Sequence, residues 1–209
     1  MKHHLRLFLI ASGVVAAGFV GAGQIKEYKP VTNAELLNPD PGDWIHWRRT
    51  LDAQAYSPLT QINKQNVNTL QLVWSWASHD GMTEATPHVR GGIMYLPNRS
   101  GGVQALDAAT GDLLWDYFVP LAKAEIGEGS GNTRVTGEGN AAGLSRPMRN
   151  LAFYGDKVFT ATSIHAGAKL VALDAKTGKV AWEAPVGYGH SAGPIIAEGK
   201  IVLGTTDCQ

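Results

Sequence analysis

"ALDAATGDLLW", Ala105 to Trp115, returns as "ALDAKTGKVAW", Ala172 to Trp182, with seven of eleven letters unchanged. In each copy an apolar run leads into Asp, Thr and Gly, and a second apolar run ends on Trp. Asp107 and Asp174 can accept hydrogen bonds from turn amides, and Gly111 and Gly178 supply the positive φ of a tight reversal. The phrase is a strand, a turn and a strand. Trp115 and Trp182 then offer a large flat surface at the same place in each copy. Such a repeated Trp suits the wedge between neighbouring units, with its N–H on a carbonyl.

Working outward, the stretch Thr86 to Val119 divides at "RGG", "NRSGG" and "ATGD" into four short apolar runs. Each divider carries Gly, Asn or Asp, as tight turns require, so the stretch is expected to be a four-stranded antiparallel meander. A second meander, Arg149 to Val186, divides at "YGDK", "IHAGAK" and "AKTGK". A third begins at Ala192 and reaches two strands by Gln209. Upstream, "LQLVWSWA" (Leu70 to Ala77) alternates with period two and predicts one more strand with an apolar face. The two phrases begin 67 residues apart, at Ala105 and Ala172, whereas Lys157 and Lys200 occupy matching places only 43 apart. The natural repeat is therefore near 43, and the first copy is stretched by a Gly-rich, patternless insertion at 123–147.

Four-stranded units repeating every 40 to 50 residues or so mark a β-propeller. Helical solenoids are excluded, because no repeat has a 3.6-residue period. The fold expected is all-β: an incomplete β-propeller of about two and a half blades, near 86–119, 149–186 and 192–209, within a propeller region at 70–209. A blade must stack on neighbours and the ring must close. The chain is therefore expected to be the N-terminal piece of a longer protein.

Composition narrows the classes. The 209 residues are 44% hydrophobic and 17% charged, enough to bury a core, and the 25 Gly and 10 Pro favour turns over long helices. Formal net charge is zero, and the Lys and Arg are scattered, the usual pattern of a solvated face; a nucleic-acid partner would need them clustered. Cys208 is the single cysteine, so no disulfide forms within the chain. Residues 1–23 place Lys2 and Arg6 before a charge-free apolar stretch and then Gly21, Ala22 and Gly23. That order predicts an export signal, with an uncleaved membrane anchor as the other reading. A polar leader at 24–69 follows, broken by prolines, with room in "NAELLNPDPGDW" for one helical turn.

The Ala-x-Asp-x-x-Thr-Gly-x-x-x-Trp phrase resembles the tryptophan-docking motif of eight-bladed quinoprotein dehydrogenases. The leader strengthens the likeness: Trp47, Tyr56, Ser57, Pro58, Leu59, Gln61, Ile62 and Asn63 are similar to the family's opening segment. The resemblance covers about Pro39 to Gln209 and favours the alcohol-oxidising branch. It implies a periplasmic enzyme that oxidises alcohols by hydride transfer to pyrroloquinoline quinone (PQQ), with a bound Ca²⁺ or lanthanide ion and an electron acceptor such as a cytochrome c. By this likeness Glu84 in "EATPHV", Arg149 in "MRNLAFYGDKVF" and Ser191 in "SAGPII" are candidate cofactor contacts. Positive charge at Arg149 would stabilise oxygen charge developing on the reduced quinone. From the residues alone, Glu84 also reads as a solvated loop acid, Arg149 as a strand-edge salt-bridge partner and Ser191 as a turn hydroxyl.

The sequence departs from the family in two places. Where the family has Gly-x-x-Gly-x-Glu, with the Glu on the cation, this chain has "GTTDCQ". Gln209 offers one neutral carbonyl where a hard cation prefers a carboxylate, and Asp207 would compensate with different geometry. The vicinal Cys-Cys pair of many members has no counterpart, and the family's catalytic Asp lies in later blades, beyond Gln209. Other constellations are bland. "GEGSGN" opens no helix and lacks the Lys-Ser/Thr of a phosphate loop. His79, His88, His165 and His190 fall at strand ends or turns and read as solvated. Two competing functions are a non-catalytic propeller scaffold of outer-membrane assembly type and a PQQ-dependent sugar dehydrogenase.

Overall fold

The repeated phrase folds as its residues require. In this computed structural model, which describes residues 25–79, 84–119, 148–162, 168–187 and 192–204, both copies form a strand, a tight turn and a strand. Asp107 accepts from the amides of Ala109 and Thr110 at 2.8 and 2.9 Å, and Asp174 from the amide and hydroxyl of Thr177 at 2.9 and 2.7 Å. Those turn amides hold the Asp107 carboxyl below its ordinary pKa. Both copies also carry a register shift at the same place, after Ala105 and after Ala172.

Each phrase closes a four-stranded antiparallel sheet whose strands pair in chain order. The first sheet comprises β1 (His88–Arg90), β2 (Ile93–Pro97), β3 (Val103–Asp107) and β4 (Leu113–Tyr117). The second comprises β5 (Ala152–Tyr154), β6 (Lys157–Ala161), β7 (Ala168–Asp174) and β8 (Val180–Gly187). A hairpin of β9 (Ile195–Ala197) and β10 (Lys200–Val202) follows. The all-β propeller reading therefore holds. The insertion at 123–147 and residues 1–23 lie outside the described residues.

The core fills the gap between the two sheets. Tyr95 and Val103 from one and Phe153, Val158 and Val171 from the other are buried there, with Tyr95 edge-on to Phe153 at 5.2 Å. Trp115 crosses this gap. Its indole N–H donates to the Ala175 carbonyl at 3.1 Å, and the Tyr95 hydroxyl donates to the same oxygen at 3.2 Å. The ring lies flat on Gly178, where a Cβ would come within 2.6 Å of it. Gly178 also holds φ +69°, so glycine is needed there twice over.

Trp74 repeats this docking one blade earlier. Its N–H donates to the Ala108 carbonyl at 3.2 Å, and a Cβ on Gly111 would come within 2.7 Å of its ring. The stretch "LQLVWSWA" thus supplies a second docking Trp but, against expectation, no strand. A strand needs a ladder partner, and β1 to β4 already complete their sheet. Among the described residues nothing pairs with 70–79, and Leu72 stays 86% exposed.

The leader is more than a polar connector. It forms helix α1 (Asn33–Leu37), started by a capping box in which Thr32 and Glu35 satisfy each other's backbone amides. On either side it bridges the sheets. Val31 exchanges two backbone hydrogen bonds with Gly155, both 2.7 Å, and Trp44 exchanges two with Val89, at 2.7 and 3.1 Å. Arg90 corrects the expectation that basic residues mark solvated faces: it is buried, paired with Asp43 at 2.5 Å and Glu35 at 2.7 Å. Its partners lie 47 and 55 residues upstream, so local pattern gave no sign of it.

Candidate functional site

Three short segments lead into the first strands of the three units: 84–87 into β1, 148–151 into β5 and 192–194 into β9. They run side by side, linked by backbone and polar contacts. The Thr86 amide donates to the Arg149 carbonyl at 3.4 Å, and the Asn150 side-chain amide to the Pro194 carbonyl at 2.9 Å. A Cβ on Gly193 would sit 2.2 Å from the Asn150 carbonyl oxygen, so only glycine lets these backbones approach. Blades of a propeller converge on the axis. Backbones therefore touch at the first strands, while indoles fill the wider gap at the outer strands.

On this inner rim Glu84 and Arg149 form an ion pair through Glu84 Oε2 and Arg149 Nη2, with side chains 42% and 43% exposed. An exposed pair of this kind contributes on the order of 0–1 kcal/mol. Its strength therefore does not commit either group, and both can turn to a ligand at little cost. Both alternative readings, a solvated loop acid and a strand-edge partner, are combined in one pair. Ser191 would belong to the third segment by its place in sequence, but it lies outside the described residues, as do Asp207, Cys208 and Gln209. Among the described residues no group of three or more His, Cys, Asp or Glu is placed to hold a metal ion.

His88 is a correction. Sequence position suggested a solvated side chain, yet it is fully buried between the blades. Its Nε2 accepts from the Leu151 amide at 3.2 Å, and its ring lies 5.5 Å from Phe153. Burial lowers its pKa to about 3, keeping the imidazole neutral. It fixes the 148–151 segment that carries Arg149. His79 is not simply solvated either: its Nε2 lies 2.8 Å from Asp116 Oδ2 and 3.2 Å from the Gln104 amide. No short-range signal marks His88, because the amide it binds lies 63 residues downstream.

A guanidinium offers a fork of donors to planar oxyanions, and a carboxylate beside it accepts from ring N–H groups or fixes the fork's aim. The Glu84–Arg149 rim therefore has chemistry that suits an anionic, planar ligand carrying carboxylates and carbonyl oxygens. The described residues supply one such fork and no cation site.

A family profile described as "Glucose/ethanol/alcohol dehydrogenase, beta-propeller domain" matches residues 44–183. The dehydrogenase subunit of alcohol dehydrogenase (quinone) from Gluconobacter oxydans (strain 621H) is 36% identical over 93% of this chain and 26% of its own length. Quinohemoprotein alcohol dehydrogenase ADH-IIG from Pseudomonas putida is 35% identical over 83% of this chain and 23% of its own. A solved quinohemoprotein alcohol dehydrogenase ADHIIG from Pseudomonas putida HK5 superposes with a TM-score of 0.64 at 34% identity, covering 83% of this chain and 24% of that one. A europium-containing methanol dehydrogenase superposes with a TM-score of 0.62 at 26% identity, over 82% of this chain and 29% of that one. The chain thus spans about a quarter of the length of the curated relatives it matches. With two Trp-docked sheets and the match across 44–183, the chain belongs to the β-propeller family of PQQ-dependent dehydrogenases.

Proposed function

We propose that this chain is part of a PQQ-dependent alcohol dehydrogenase that works in the periplasm. The observation that carries the reading is the Glu84–Arg149 pair, set on the inner rim where the first strands of two blades converge. PQQ, when bound, would supply the two-electron acceptor for the hydride taken from the alcohol carbon. Arg149 would hold its oxygens through the guanidinium fork and stabilise negative charge developing there. Glu84 would orient Arg149 and balance its charge in the resting site. Ser191 would add a hydroxyl to a PQQ carboxylate. The ion expected beside the quinone, Ca²⁺ or a lanthanide, would draw on Asp207 or Gln209.

Alcohol is favoured over sugar because the similar proteins named above are alcohol and methanol dehydrogenases. Electrons would leave through a periplasmic acceptor such as a cytochrome c. Export rests on Lys2 and Arg6 ahead of the apolar stretch. The test is turnover of ethanol by the full-length gene product with PQQ and an artificial electron acceptor. Arg149→Ala should lower kcat at least about 100-fold, with Arg149→Lys recovering part of it. Unchanged turnover in Arg149→Ala removes Arg149 from the site, faster oxidation of glucose than of ethanol overturns the substrate, and absence of PQQ-dependent turnover overturns the enzyme reading.

A further inference from the structure

We infer that the leader, residues 29–47, is an axial plug: it lies along the channel-facing edge of β1 and closes the end of the channel opposite Glu84 and Arg149. The argument starts from strand edges. β1 pairs with β2 on one side, and Val89, its middle residue, pairs with Trp44 on the other. In a ring of blades the free edge of a first strand faces the axis. Trp44 therefore stands where the channel would otherwise be open. The same segment reaches the other two units. Leu36, Ile45, His46 and Trp47 line a narrow cavity of about 60 Å³ whose far walls are 150–153, entering β5, and 194–196, entering β9.

Chain direction tells which end is closed. Glu84 precedes β1 and Arg90 ends it; Arg149 precedes β5 and Gly155 follows it. The leader's ion pairs and its bridge to Gly155 lie at Arg90 and Gly155, the ends away from the Glu84–Arg149 pair, and only its last residues, 45–47, run back towards Asn150 and Pro194. Six extended residues from Glu84 to Arg90 span about 20 Å. The fastening is dense. Arg90 Nη1 donates to Asp43 Oδ2 at 2.5 Å, and Nη2 donates to Glu35 Oε1 at 2.7 Å and to the Lys29 and Pro30 carbonyls at 3.1 and 3.3 Å. Its Nε donates to the Lys29 carbonyl at 3.2 Å, and Asp43 Oδ1 takes the Gly91 amide at 2.8 Å. Every one of these bonds joins the leader to the end of β1. On the reading of the Glu84–Arg149 rim as the cofactor site, that site has a single mouth.

The test is thiol accessibility in the full-length protein with Cys208 and any cysteine beyond Gln209 replaced by Ser, and it reads the plug whether or not PQQ binds. Ile45→Cys, at a position 2% exposed, should react with a maleimide at least about 100-fold more slowly than Leu51→Cys, at a position 61% exposed. Rates within threefold of each other would overturn the plug. Adding Arg90→Lys, which keeps the charge and loses the fork, should speed labelling at Ile45→Cys about tenfold or more, while Val158→Cys in the core stays protected. No acceleration would overturn Arg90 as the latch. Where Arg90→Lys also exposes Val158→Cys, the milder Asp43→Asn decides by the same two rates.

Discussion

His88 shows what a single residue does here that its neighbours in sequence do not announce. It sits in a three-residue strand, too short for alternation to assign a face, and it is buried by the next blade's backbone. The consequence is a pH dependence. Folded, His88 titrates at about 3; unfolded, it titrates near 6.5. Between those values the unfolded chain holds more protons, so stability rises with pH and is lost as pH falls through that window. Below about 3 both states are charged and the effect is complete. From pH 7 to pH 5 the loss from this one group is about 2 kcal/mol. Glu35 acts in the same direction lower down. Burial raises its pKa, but hydrogen bonds from Lys29, Arg90 and the Thr32 amide outweigh that and hold it at about 2, against 4.5 unfolded. Its contribution fades only below about pH 4.5, so it does not enter measurements above pH 5. His88→Gln keeps an acceptor for the Leu151 amide and removes the titration. Urea unfolding at pH 7 and pH 5 should show the variant losing about 2 kcal/mol less than the parent chain; equal losses would mean that His88 is not buried neutral.

At the scale of elements, the turn-and-strand phrase was legible because its cause is local: Asp, Thr and Gly write the turn, and the spacing writes the blade. The strand expected at Leu70 to Ala77 failed because pairing is not local. Alternation fixes which side chains could share a face, but a strand exists only against a partner, and Trp74 docks without one. The short helix at 33–37 was legible for the same reason as the turn. The path of the leader across both sheets was not, since Arg90 finds Asp43 and Glu35 only through the fold. The docking element has a measurable asymmetry. Trp115 is 7% exposed, with Ala175 and Gly178 beneath it, whereas Trp182, the same letter of the second phrase, is 41% exposed and rests on Phe159 at 5.9 Å. In the 209-residue chain Trp115→Ala should cost about 3–5 kcal/mol, the range for deleting a packed aromatic. Trp182→Ala should cost about 1 kcal/mol or less, as a surface change. Urea midpoints decide it, and equal shifts would show that the wedge does not hold the two sheets together.

At the scale of the molecule, the two outer faces differ in kind, and that difference sets how the chain behaves in solution. Leu70, Leu72 and Val73 are exposed upstream of the first sheet, and Val180, Trp182, Ile195 and Val202 are exposed on the second sheet and the hairpin after it, all more than 40%. Apolar surface gathered in this way seeks cover. Because the two sets of exposed side chains are different, contact between copies would be head-to-tail, and a head-to-tail contact continues from copy to copy unless its rotation closes a ring. The contact is also imperfect: the docking place over Gly111, which Trp182 of a second copy would seek, is already filled by Trp74. Association should therefore be weak and graded rather than a single tight dimer. Light scattering on the purified 209-residue chain should show mean mass rising smoothly between about 5 and about 100 µM. Leu72→Ser with Trp182→Ser should flatten that rise, because each removes the apolar centre of one face. A constant monomer mass across the range, or a fixed dimer insensitive to both substitutions, would show that these faces are not the sticky ones.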